Sequence, residues 1–89
     1  MELEELRSEL DALNEEIVSL LAKRRSITKQ VAQLKKRESL PVFDGNREKR
    51  QSEKVREVAK RHAIDPDVVE KLFEIYVAYC RQEMAKEMA

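Results

Sequence analysis

The sequence predicts an all-α protein: three helices, the first of them long, in a chain that pairs with a second copy of itself. Three observations lead there. Apolar residues recur at alternating intervals of three and four along the first third of the chain. The 89 residues include one Gly, two Pro and 4% aromatics, a composition that favours helices over strands and turns. Turn signals cluster at "SLPVFDGN" (39–46) and "IDPD" (64–67), dividing the chain into three segments of one domain, 1–89.

The first helix is expected over about 2–38. Its rungs are Leu3, Leu6, Leu10, Leu13, Ile17 and Leu20, then Ile27, Val31 and Leu34. That spacing is a heptad seam, and the missing rung between Leu20 and Ile27 is Arg24. About 35 uninterrupted residues make a rod of roughly 50 Å. The second helix, about 45–62, starts from Asp44 or Asn46 as N-cap. Its inner row runs Asp44, Glu48, Gln51, Val55, Val58, polar at first and apolar later, with Arg47 beside it. The third helix, about 66–87, has Asp65 as N-cap and Pro66 at its first position. Val69, Leu72, Phe73, Tyr76, Cys80 and Met84 make its apolar face.

These lengths conflict with a compact monomer. A folded chain of this size has a radius of gyration of about 12 Å, hence a diameter near 30 Å. The first helix must overhang, and the second is too poor in apolar residues to cover it. A homodimer pairing the long helices resolves the conflict.

Composition removes several functional classes. Eighteen basic and eighteen acidic residues cancel, so no global field attracts nucleic acid or an anionic membrane. The longest apolar runs, such as "IYVAYC", are too short to span a bilayer, and no basic-then-apolar leader opens the chain. A cytoplasmic setting is the expectation. Cys80 is alone and reads as a small buried residue, while His62 reads as a capping residue at a helix C-terminus, where a cation is mildly favoured. With no second His, no Cys pair and no glycine-rich loop, neither a metal nor a cofactor is expected.

Chemistry must then rest on charge placement. Arg24 on the seam can snorkel or pair with a Glu of a neighbouring helix. Lys35 lies on the same row, Arg24–Thr28–Val31–Lys35, and Arg7 flanks the seam near Leu3 and Leu10. If Arg7, Arg24, Lys35 and Arg47 converge with Asp44 and Glu48, two positive charges remain over, which a dianion would neutralise. The alternative is that several of these groups face water.

"LRSELDALNEEIVSLLAKRRSITKQVAQLKK" followed by "LPVFDGNRE" resembles the all-helical AroQ-type chorismate mutases. The shared pattern is an LR-x3-D opening, an L-x-x-R-x2-L/I-x3-V row ending in Lys, and a P-[VI]-x-D-x2-RE element. The resemblance implies an intertwined homodimer of three-helix protomers that turns chorismate into prephenate without a cofactor. It implies Arg24, Lys35 and Glu48 as catalytic residues, and Arg7, Asp44, Arg47, Cys80 and Met84 as substrate-binding ones, with Arg7 contributed across the interface. Arg24 and Arg7 would grip the two carboxylates, Lys35 the ether oxygen and a carboxylate, and Glu48 with Asp44 the ring hydroxyl. One departure stands out. In "CRQEM", Cys80 and Met84 occupy places where the family usually has a small polar residue and a Gln donor. Loss of such a donor costs about 3 kcal/mol of transition-state stabilisation. Two other readings therefore stay open: a related enzyme acting on isochorismate or aminodeoxychorismate, and a non-catalytic helical dimerisation or regulatory module.

Overall fold

The computed structural model of the chain describes residues 2–41 and 44–88, with side chains as far as residue 86. Val42 and Phe43 of the "PVFD" element lie outside the described residues. Three helices carry the fold: α1 (Leu3–Arg37), α2 (Gly45–Arg61) and α3 (Pro66–Met88). No strand occurs among the described residues.

Helix α1 runs unbroken for 35 residues because no Gly or Pro interrupts it. Glu4 and Glu5 in its first turn, and Lys35, Lys36 and Arg37 in its last, complement the helix dipole. It ends in a Schellman turn. Leu40 N–H donates to the Lys35 carbonyl at 2.8 Å, and Ser39 N–H donates to that of Lys36 at 3.3 Å. Ser39 takes the left-handed conformation this turn requires, with φ 56°. Helix α2 ends the same way, with Ala63 at φ 57° and Ile64 N–H donating to the Ala59 carbonyl at 2.9 Å. Asp44 caps the start of α2, its Oδ1 accepting from Arg47 N–H at 3.0 Å. Asp65 does the same for α3 through Asp67 N–H at 2.9 Å.

Helix α3 packs against both other helices. It makes an antiparallel pair with α2, fastened at one end by Arg56 Nη1, which reaches Asp67 at 2.8 Å and Glu70 at 3.0 Å. Against α1, Tyr76 donates its hydroxyl proton to the Leu21 carbonyl, and Arg25 Nη1 donates to the Tyr79 hydroxyl at 3.2 Å. The packed stripe of α3 is Val69, Phe73, Tyr76, Val77, Cys80 and Met84. Leu72, expected on that face, is 61% exposed, because one residue turns it about 100° away from Phe73.

The molecule measures 55 × 23 × 15 Å with a radius of gyration of 16.2 Å. A compact chain of this length would have a radius near 12 Å. Among the described residues, Ala32, Ala59 and Cys80 make up the fully buried core, all small side chains at helix contacts. Every residue from 2 to 23 is exposed, and the seam lies open, with Leu3 at 60%, Leu10 at 59% and Leu20 at 62%. Among the described residues, no helix is long and apolar enough to cross a membrane.

Candidate active site

The lower half of α1, the first two turns of α2 and the last third of α3 enclose a cavity of about 270 Å³. That volume lies just below the range of about 300–1,000 Å³ usual for pockets that hold drug-sized ligands. Helix periodicity explains its α1 wall. Arg24, Thr28, Val31 and Lys35 follow one another at intervals of four, three and four, and all line the cavity. The α2 wall is Asp44, Arg47, Glu48 and Gln51, the polar part of a face that turns apolar at Val55. Cys80, Arg81 and Met84 of α3 close the third side.

Arg24 is held from several directions. Its Nη2 donates to Gln51 Oε1 at 2.9 Å, and its guanidinium carbon lies 5.4 Å from the centroid of the Tyr76 ring. Thr28 Oγ1 donates to the Arg24 carbonyl at 3.0 Å, so the threonine occupies its own hydroxyl within the helix. The partner of Arg24 is thus a neutral amide, which leaves its positive charge uncompensated by that bond. Tyr76, beneath Arg24, has its phenol pushed above the ordinary value, first by burial and then by hydrogen bonding with Cys80; Arg24 and Arg25 pull weakly the other way. A neutral phenol is what the bond to the Leu21 carbonyl needs.

Glu48 faces Arg81. Arg81 Nε donates to Glu48 Oε1 at 3.2 Å, and Arg81 Nη2 donates to the same oxygen. Among the described residues that line the cavity, Arg24, Lys35, Arg47 and Arg81 against Asp44 and Glu48 leave a surplus of two positive charges. A cavity lined in this way carries a positive potential that attracts anions.

Residues 6–85 match the family described as chorismate mutase type II. The chain belongs to that family. It is 32% identical over 77 residues to the chorismate mutase of Methanocaldococcus jannaschii, covering 86% of this chain and 78% of that one. It is also 32% identical to the T-protein of Haemophilus influenzae over 85 residues, 96% of this chain and 22% of that protein. A bifunctional chorismate mutase/prephenate dehydratase of Escherichia coli is 32% identical over 72 residues, with 81% of this chain matching 19% of that one. The chain thus spans about a fifth of the length of the two larger relatives.

Seven of the eight residues singled out in this chorismate mutase-family chain line the one cavity: Arg24, Lys35, Asp44, Arg47, Glu48, Cys80 and Met84. Arg7 does not. It lies near the far end of α1, paired with Glu4 Oε1 at 3.0 Å, with 62% of its side chain exposed. Sequence reasoning gave no role to Arg81 and only a place on a row to Gln51. The signal for Arg81 was its position three residues before Met84 and four after Val77, the helical intervals that share a face.

Proposed function

We propose that this chain is a chorismate mutase that works as a homodimer, rearranging chorismate to prephenate. The observation that carries this reading is the Arg24–Lys35 row of α1 facing Glu48 and Arg47 across a cavity with two excess positive charges. The reaction breaks the ether C–O bond and forms a C–C bond in one concerted step, with no proton transferred to or from the protein. Its catalyst must hold a flexible dianion in the reactive shape and meet the charge that grows on the ether oxygen.

Arg24 grips one carboxylate, pre-oriented by Gln51 and Tyr76. Lys35 donates to the ether oxygen and a carboxylate, where a cation stabilises the transition state more than the ground state. Glu48 accepts a hydrogen bond from the ring hydroxyl, which keeps its proton. Asp44 has one oxygen engaged in capping α2, and its remaining oxygen assists Glu48. Arg47 lies on the rim, and Cys80 and Met84 form the wall beside the reacting atoms. Arg7 of the partner subunit completes the carboxylate grip. The exposed seam of α1 supports pairing of the long helices, which brings that arginine to the site. The reaction needs no metal or cofactor, and the setting is cytoplasmic.

The test is turnover of chorismate by the purified protein in the presence of a chelator, followed by identification of the product. Prephenate is expected, with activity lowered about 30-fold or more in Arg24→Ala and Lys35→Ala. A folded protein that neither converts chorismate nor binds a bicyclic transition-state analogue refutes the proposal. The apolar Met84 on the cavity wall is the observation that favours an altered substrate, so isochorismate and aminodeoxychorismate belong in the same assay.

A further inference from the structure

Among the charges around the cavity, Arg81 has no part in the mechanism above, yet it makes a two-point contact with a residue that does. Its Nε and Nη2 both donate to Oε1 of Glu48, and this fork leaves Oε2 outside it. A glutamate carboxylate turns freely about its last torsion, which is broad and nearly two-fold. A charge-assisted fork from a planar guanidinium removes that freedom; a lysine would supply the charge without the geometry.

The pair also has a place in the wall. Glu48 and Arg81, with Gln51 and Val77, line both the 270 Å³ cavity and a neighbouring cavity of about 330 Å³. The second cavity is bounded further by Lys49, Ser52, Phe73 and Glu74. The ion pair is thus part of the wall that the two share.

A purely structural role fits poorly. The side chains of Arg81 and Glu48 are 42% and 32% exposed, and ion pairs so open to water add little to stability. The α2–α3 pair is already fastened elsewhere by Arg56.

We propose that Arg81 is a positioning residue of this site. It holds the Glu48 carboxylate in one orientation, with Oε2 offered to the substrate hydroxyl, and it helps to close the shared wall so that the ligand stays in one cavity. This inference rests on the chorismate reading of the site.

The experiment compares the wild type with Arg81→Ala, Arg81→Gln, Arg81→Lys, Glu48→Gln and the double variant Arg81→Ala/Glu48→Gln. kcat, KM for chorismate and thermal midpoint are measured for each. A positioning role predicts that Arg81→Ala and Arg81→Gln lower kcat by about 10-fold or more, with KM and the thermal midpoint changed much less, while Arg81→Lys recovers part of the rate. In the Glu48→Gln background, the further loss from Arg81→Ala shrinks to about 2-fold or less, because Arg81 acts through Glu48. Equal losses in both backgrounds overturn the inference. So does an unchanged kcat, or a loss that follows the melting temperature in both Arg81→Ala and Arg81→Gln. A folded wild type that leaves chorismate unconverted refutes the functional reading itself, and the inference with it; an active wild type with additive variants refutes the inference alone.

Discussion

Arg7 and Arg24 stand on one straight helix, 24 − 7 = 17 residues apart. At a rise of 1.5 Å per residue, that is about 25 Å, far beyond the reach of an arginine side chain. If both arginines serve one site, they come from different chains. Replacing either with Ala removes a charge-assisted contact to a substrate carboxylate, at about 2–3 kcal/mol, or ~30- to 150-fold in rate. The two variants complement each other when their chains are mixed. Random reassortment puts half of the dimers in the mixed form. In each mixed dimer, one site has both arginines and the other has neither. Unfolding and refolding an equimolar mixture of Arg7→Ala and Arg24→Ala should therefore restore about a quarter of the wild-type rate. Chorismate consumption before and after refolding is the assay, with each variant refolded alone as control. If the mixture stays at the mean of its parents, Arg7 does not act across the interface, and the paired-helix site is wrong.

Four further perturbations probe other links. Asp at both Leu10 and Leu13, which are 59% and 53% exposed in the single chain, places charge on the seam and should turn a dimer into poorly helical monomers, read by sedimentation and circular dichroism. Unchanged mass and ellipticity would mean that the seam is not an interface. Ser39→Gly and Ala63→Gly relieve left-handed conformations at the two helix ends and should each raise stability by about 0.5–1 kcal/mol in denaturant titration; a decrease contradicts the cap assignment. Met84→Gln adds a donor to the cavity wall and should raise kcat, whereas an unchanged or lower rate means that no developing charge lies there. Tyr76 has a raised pKa in the folded chain, so the unfolded chain loses this proton first, and the contribution of Tyr76 to stability fades as pH climbs past about 10. The gap in melting temperature between wild type and Tyr76→Phe should narrow from pH 8 to 11, and a constant gap contradicts the neutral, hydrogen-bonded phenol.

What could be read from the sequence was whatever short-range chemistry dictates. The seam from Leu3 to Leu34 is a spacing, the caps at Asp44 and Asp65 are dipeptide-scale events, and the Arg24–Lys35 row follows from the helix period alone. The pairing of Arg24 with Gln51 and of Arg81 with Glu48 was not legible. Residues 27 and 33 positions apart meet only once the helices have chosen their packing angles. Leu72 lies off the packed stripe of the single chain for a related reason: hydrophobicity marks a residue as eligible for a face, but the neighbouring helix decides where that face is centred.

If two chains pair along α1 as proposed, Arg24 has a consequence for their assembly. Leu3, Leu6, Leu10, Leu13, Ile17 and Leu20 are nearly interchangeable rungs, so on their own they tolerate a partner displaced by seven residues. The guanidinium breaks that degeneracy. A helix that slides by one heptad presses an aliphatic side chain onto an unpaired charge, which costs several kcal/mol. In that proposed dimer the interruption would act as an index mark on an otherwise uniform ruler, selecting one alignment of the helices from several of similar hydrophobic energy.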